Sequence, residues 1–298
     1  MESTATTLRR ILDEPGLVVM PCCHDALSAR LIERAGFPLT FMSGFAVAAS
    51  RLALPDTGLI SYGEVLDQGR NICDAVSIPV IGDADTGYGN PISTKRTVRG
   101  FAGAGFACVM IEDQLAPKRC GHTRGKQVVP RGEAIARMRA ALDAREASRD
   151  EGFDILVMAR TDARASEGLD EAIARANAFA ELGADISFLE APRDEAEMRR
   201  YCAEVPGPRM ANLVEEGDTP MLSPVVLEEI GFKIAAHPLT LLSSSALAMQ
   251  QALASLSAGE SVPLSQRLDF ASLRELVGFD AYDEELARYA SEDEPSPD

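Results

Sequence analysis

The chain has 298 residues, 46% of them hydrophobic, and a formal net charge of −17 from 29 basic and 46 acidic residues. That balance excludes a nucleic-acid surface, which needs clustered Lys and Arg. It leaves an anionic small-molecule substrate open, because a bound metal and a few arginines reverse the field locally.

No apolar run reaches the ~18 residues of a membrane span, and Met1–Arg10 lacks a signal-peptide core. The six cysteines are scattered, with no C-x-x-C pair, so neither a zinc site nor a disulfide scaffold is expected. A reducing cytoplasm is the expected setting.

In chain order the sequence alternates short apolar runs with longer amphipathic ones. Leu17–Met20 reads as the first strand, and Ala26–Ala35 as a helix with Leu27, Leu31 and Ile32 on one face. Strands at Leu39–Met42 and Pro79–Asp83 flank a helix at Glu64–Ala75. Helix Ser93–Ala104 leads to strand Ala107–Glu112, and helix Arg131–Ala147 to strand Ile155–Arg160. Helix Leu169–Leu182, strand Ile186–Glu190, helix Glu195–Glu204, strand Arg209–Asn212, helix Pro224–Ile230 and strand Lys233–Ala236 complete the series. The strands are apolar on both faces, as in buried parallel sheets. Several helices end in Gly, as at Ala35-Gly36 and Ile230-Gly231, the residue suited to a left-handed cap.

Eight such units predict a closed (β/α)8 TIM barrel, with an open doubly wound sheet as runner-up. A long helix over Thr240–Ser257 and further helical material over Leu264–Ala290 follow, and the acidic, Pro-rich end, 291–298, reads as disordered. No linker divides the chain, so 1–298 reads as one domain.

A barrel places its chemistry at the C-terminal ends of the strands. Those ends read Ser43-Gly44, Asp83-Ala84-Asp85, Glu112-Asp113, Arg160-Thr161-Asp162, Glu190, Asn212 and His237, and Asp56 sits in the second βα loop. Asp56, Asp83, Asp85 and Glu112 then converge. Each taken singly reads equally as a helix cap or loop anchor. Together they call for a cation, and hard oxygen donors favour Mg²⁺ or Mn²⁺ over zinc.

The loop Pro117–Lys126 sets Cys120 among Lys118, Arg119, His122, Arg124 and Lys126. Cationic neighbours lower a thiol's pKa and suit it to proton transfer, and Gly121 and Gly125 suit a closing lid; the alternative is an exposed basic loop with an incidental cysteine. Cys73, Cys108 and Cys202 read as core, Cys22-Cys23 at the first strand end as packing, with a place in the cavity lining as the alternative, and His24 as a loop or cap residue. His237, on the rim, is a candidate substrate contact.

These residues resemble the isocitrate lyase / phosphoenolpyruvate mutase superfamily over nearly the whole chain. The loop Lys118-Arg119-Cys120-Gly121-His122 is similar to the lyase-branch signature, and Asp83-Ala84-Asp85-Thr86-Gly87-Tyr88-Gly89 and Ile111-Glu112-Asp113-Gln114 to the metal region. The resemblance implies a barrel whose eighth helix is swapped within a dimer, paired into a homotetramer. It implies that Asp83 contacts Mg²⁺ while Asp85, Asp56 and Glu112 hold its waters. Ser43, Gly44 and Phe45 would grip the 2-oxo-acid carboxylate, and Arg160 would neutralise the developing oxygen charge. Cys120 would protonate the leaving carbanion, Lys118, Gly121 and His122 would shape the lid, and Glu190 and Asn212 would position the distal carboxylate.

The implied reaction is carbon–carbon cleavage of a 2-hydroxy dicarboxylate. Departures narrow it. Phe41 stands where many relatives carry tyrosine, Ser243 where methylisocitrate lyases place an arginine, and Pro238 where oxaloacetate-hydrolysing members carry serine. An alkylmalate-type substrate is therefore expected. The alternatives are an oxaloacetate or oxo-acid hydrolase or decarboxylase, a methylisocitrate lyase, and a barrel that binds a metabolite without turnover.

Overall fold

The computed structural model describes residues 3–121 and 125–289. Eight parallel strands close into a barrel in chain order. They are β1 (Val18–Cys23), β2 (Thr40–Met42), β3 (Val80–Asp83), β4 (Cys108–Glu112), β5 (Leu156–Thr161), β6 (Ile186–Leu189), β7 (Arg209–Asn212) and β8 (Ile234–His237). The ring closes where β1 pairs with β8, Met20 beside Ala236 and Pro21 beside His237. The expected strand ends agree within a residue except at β1, which runs on through Cys22 and Cys23.

The helices begin with α1 (Thr4–Asp13), α2 (Ala26–Arg34), α3 (Gly44–Leu52), α4 (Tyr62–Ala75), α5 (Pro91–Gly103) and α6 (Arg131–Asp150). They continue with α7 (Ala163–Ser166), α8 (Leu169–Glu181), α9 (Glu195–Glu204), α10 (Pro224–Ile230), α11 (Thr240–Ser257), α12 (Phe270–Val277) and α13 (Phe279–Ala287). Three of them, α1, α3 and α7, are absent from the expected series. α1 does carry an apolar stripe, Ala5, Leu8 and Ile11, that marks it as a helix. α3 reads Gly-Phe-Ala-Val-Ala-Ala-Ser, small or apolar on every side, so no stripe marks it. Its start is set by Ser43, whose side chain accepts from the Ala46 amide. At the other kind of helix end, Gly36 and Gly231 take φ of 82° and 104°, which a side chain would resist.

The chain divides into two compact units, Met1–Ser243 and Ser244–Asp298. The first holds the barrel. Within it, alternate strand residues feed an interior core and two outer clusters, because successive side chains of a strand point to opposite faces. Met20, Phe41, Ile81, Met110, Met158, Phe188 and Met210 fill the barrel interior, joined by Ala5 and Leu8 of α1. Met42, Val80, Val109, Ile111, Val157 and Ala159 pack outward in a second cluster with helix residues such as Phe101 and Phe179. In the second unit α12 and α13 meet through Arg274, whose guanidinium lies 4.2 Å from the Phe279 ring centroid. Among the described residues no helix is long and apolar enough to cross a membrane. The stretch expected to be disordered, 291–298, lies outside the described residues.

Candidate active site

The same alternation positions the site. Two residues beyond the inward-facing Phe41, Ile81, Met110, Met158, Phe188 and Met210 stand Ser43, Asp83, Glu112, Arg160, Glu190 and Asn212. Six strands thus aim a polar residue at the barrel axis where the apolar filling stops. A cavity of about 220 Å³ opens there. Its polar lining residues are Ser43, Asp56, Asp83, Lys118, Arg160, Glu190 and Asn212, with Cys120 and Gly121. Its apolar lining residues include Phe41, Phe45, Phe188, Met210, Val214, Pro238 and Leu239.

Arg160 is the electrostatic centre. Its Nε and Nη2 donate to Asp162 at 2.8 and 3.0 Å. Nη2 also lies 2.9 Å from Glu190 Oε2, and Nε 3.3 Å from Glu112 Oε2. Burial opposes the charge on Arg160, but Asp162, Glu190 and Glu112 outweigh it and raise its pKa well above the usual value. Asn212 Nδ2 donates to Glu190 at 3.3 Å.

The acid cluster lies beside it. Asp56, Asp83, Asp85 and Glu112 are all buried. Asp83 accepts from the amides of Gly44 and Asp85 at 3.2 and 3.0 Å. The Lys118 ammonium inserts between Asp56 and Asp85, at 2.5 and 2.9 Å. Burial alone would lower the Lys118 pKa; Asp85, Asp83, Asp56 and Glu112 raise it well above normal instead. Asp85 is pushed up to about 6, first by burial and then by Asp83 and Asp56, against the pull of Lys118. Burial likewise lifts Glu112, against Arg160.

Among the described residues, no three His, Cys, Asp or Glu side chains are gathered so as to hold a metal directly. The donor set still fits a hard cation reached partly through water, the habit of Mg²⁺. Glu112 Oε1 is buried with no hydrogen-bond partner among the described residues, and Lys118 marks the cluster as a place that draws positive charge.

Cys120 and Gly121 come from the loop after β4. Gln114 grips that loop through its side chain, donating to the Arg119 carbonyl and accepting from the Arg119 amide, each at 2.9 Å. The base closes where the Leu115 amide donates to the Gln127 carbonyl at 2.9 Å.

Not every expected contact reaches the cavity. Asp85, Glu112 and Gly44 lie behind its lining, and the Gly44 amide is directed to Asp83 rather than to open space. His237 does not line it; Ala236 and Pro238 on either side do, because the pleat turns alternate residues away from the axis. Ser243 is exposed and also absent from the lining. His122 lies outside the described residues. Conversely, Cys22, Val214 and Leu239 line the cavity, and Asp162 and Asp113 support it. Val214 and Leu239 carry little signal in the sequence, whereas Cys22, Asp113 and Asp162 stand at strand ends, where a barrel gathers its site residues.

The family model for phosphoenolpyruvate phosphomutase matches residues 8–257. A chloroplastic carboxyvinyl-carboxyphosphonate phosphorylmutase of Arabidopsis thaliana is 42% identical over 292 residues, covering 96% of this chain and 85% of its own. The 2,3-dimethylmalate lyase of Eubacterium barkeri is 38% identical over 291 residues, covering 97% and 99%. Among solved structures, oxaloacetate acetylhydrolase in complex with 3,3-difluorooxalacetate superposes with a TM-score of 0.91 at 34% identity, covering 97% of this chain and 98% of that one. Phosphonopyruvate hydrolase in complex with oxalate and Mg²⁺ superposes with a TM-score of 0.84 at 28% identity, covering 97% and 99%.

Proposed function

The chain belongs to the phosphoenolpyruvate mutase / isocitrate lyase superfamily and is a carbon–carbon lyase, and on that premise we propose that it cleaves an alkylmalate-type 2-hydroxy dicarboxylate to a 2-oxo acid and a carboxylate. The observation that carries this reading is the mixed lining of one cavity. Ser43, Asp83, Arg160 and Asn212 share a space of about 220 Å³ with Phe45, Val214, Pro238 and Leu239, and Cys120 belongs to the same lining. The polar residues suit two carboxylates and an oxygen; the apolar residues suit alkyl substituents.

In this reading Ser43 and the Phe45 end of α3 hold the carboxylate beside the hydroxyl carbon. Gly44 serves by leaving room for Asp83, since a Cβ at Gly44 would come 2.5 Å from Asp83 Oδ2. Arg160 stabilises the negative charge that grows on the C2 oxygen. The C2–C3 bond breaks, its electrons pass to C3, C2–O becomes a carbonyl, and the hydroxyl proton passes to a cavity carboxylate. Cys120 delivers the proton that quenches the carbanion at C3. Asn212, with Glu190 fixed between it and Arg160, positions the distal carboxylate, and Lys118, Gly121 and His122 shape the loop around Cys120. Asp83 would contact Mg²⁺, or Mn²⁺ in its place, with Asp85, Asp56 and Glu112 on its waters, and the ion would supply Lewis-acid stabilisation of the C2 oxygen. Phe41 in the lining has no hydroxyl, so no phenolic base acts there.

The test is a panel of 2-methylmalate, 2,3-dimethylmalate, methylisocitrate and oxaloacetate with Mg²⁺, read by 2-oxo-acid or oxalate release. Cleavage of the alkylmalates supports the reading. Turnover of oxaloacetate alone replaces it with the hydrolase, and turnover of none with a binding protein.

The homo-oligomer belongs to the same proposal. α11 has 18 residues, none of them buried, and Leu247, Met249, Leu253 and Leu256 are exposed along it. Phe270, Val277, Tyr282 and Leu286 are exposed in the segments that follow. So many exposed apolar residues mark an interaction surface, and exchange of α11 within a dimer, doubled to a tetramer, would cover it. Light scattering on the purified chain reads the assembly; a stable monomer would remove this part.

A further inference from the structure

Lys126 stands at the far end of the loop that carries Cys120, and only 3% of its side chain is exposed. A buried ammonium is costly unless its donors are met. Among the described residues, two groups meet this one. Nζ lies 3.5 Å from Asp162 Oδ1 and donates to the Gly121 carbonyl, in the peptide unit that follows Cys120 by one residue.

Asp162 is itself fixed. Its carboxylate takes both donors of Arg160, and its amide donates to Asp113 Oδ1 at 2.9 Å. Asp113 is in turn held by Thr161 Oγ1 at 2.7 Å and Arg175 Nη1 at 3.1 Å. One carboxylate, anchored at the end of β5, therefore holds both the arginine of the cavity and the ammonium that grips the cysteine segment. Gln114 holds Arg119 on the other side of Cys120.

We infer that Lys126 is a positioning residue for Cys120, registering the thiol to Arg160 through their common partner Asp162. The inference rests on the reading of Cys120 as the proton donor. Lys126 touches no substrate; its effect passes through where it holds Gly121.

A double-mutant cycle tests it on the Mg²⁺-loaded full chain, with the best-cleaved substrate of the panel. Wild type, Lys126→Met, Cys120→Ser and the double variant are compared for kcat and KM separately. A misplacement near 1 Å can cost about 10²-fold, so Lys126→Met should lower kcat about tenfold or more while KM stays within about threefold. In the Cys120→Ser background the same substitution should cost less than about twofold, because the group it positions is gone. Equal losses in both backgrounds, or a raised KM with kcat kept, overturn the inference. If Lys126→Met does not fold, Lys126→Arg keeps a cation for Asp162 and is read by the same rule. Failure of the underlying reading shows separately, as undiminished kcat in Cys120→Ser alone, and takes the inference with it.

Discussion

Gly121 lies directly against Glu190. A Cβ built on Gly121 would come 2.5 Å from Arg160 Nη2 and closer still to Glu190 Oε2. The loop can lie along the Arg160–Glu190 ion pair only because position 121 has no side chain. Gly121→Ala should therefore part Glu190 from Arg160 or lift Cys120 away. Displacing a positioned group by about 1 Å can cost about 10²-fold, and that loss is expected in kcat/KM with the thermal midpoint nearly unchanged, since the barrel core is not touched. Full activity in this variant would mean that the working enzyme holds the loop elsewhere.

Cys120 should stand apart from the other five thiols. Burial raises the pKa of Cys22, Cys23, Cys73, Cys108 and Cys202, that of Cys23 to about 12 and of Cys202 to about 11. Iodoacetamide near neutral pH should therefore label Cys120 first, and bound product should slow the labelling. Cys120→Ser should lower kcat by about 10²-fold or more, with Mg²⁺ affinity and thermal midpoint near wild type. Cys73→Ser is the control, with some loss of stability and no specific loss of turnover. Peptide mapping that finds Cys73 alkylated ahead of Cys120 would count against the assignment.

Metal dependence follows from the charge imbalance of the acid cluster. Asp56, Asp83, Asp85 and Glu112 have the ammonium of Lys118 and, at Glu112, the Arg160 guanidinium as counter-charges, which leaves the four carboxylates short of positive charge and suited to a further cation. Incubation with EDTA should abolish turnover, and Mg²⁺ or Mn²⁺ should restore it. Undiminished turnover in chelator would remove the metal from the mechanism.

Substrate size is set by the apolar part of the lining. A third carboxylate beside Val214, Pro238 and Leu239 would find no cation among them, and Ser243 is exposed and outside the lining. An unpaired carboxylate against apolar side chains is disfavoured by several kcal/mol. Methylisocitrate should therefore have kcat/KM about 10²-fold or more below 2,3-dimethylmalate. Equal efficiency on both would show that a cation reaches this part of the lining after all.

Much of this protein is legible in its sequence. The eight strands follow from short continuous apolar runs, the mark of strands buried on both faces, and most of the helices between them from the 3.6-residue spacing of apolar positions. The polar residue that ends each strand was visible for the same reason, as at Asp83, Glu112, Arg160 and Glu190. The Lys118-Arg119-Cys120-Gly121 segment was visible as basic residues in an acidic chain.

Other relations waited on closure of the ring. That Pro238 and not His237 faces the cavity depends on how β8 pairs with β1 and β7, a register that no single strand specifies. The insertion of Lys118 between Asp56 and Asp85 joins loops from different units of the barrel. The support of Arg160 by Asp162, and of Asp162 by Asp113, Arg175 and Lys126, joins groups spread over 62 residues between Asp113 and Arg175. α3 escaped because an all-round apolar helix has no stripe to detect. Local chemistry decided which residues are offered at the barrel mouth, and long-range pairing decided which of them meet, because contacts between distant segments exist only once the barrel closes.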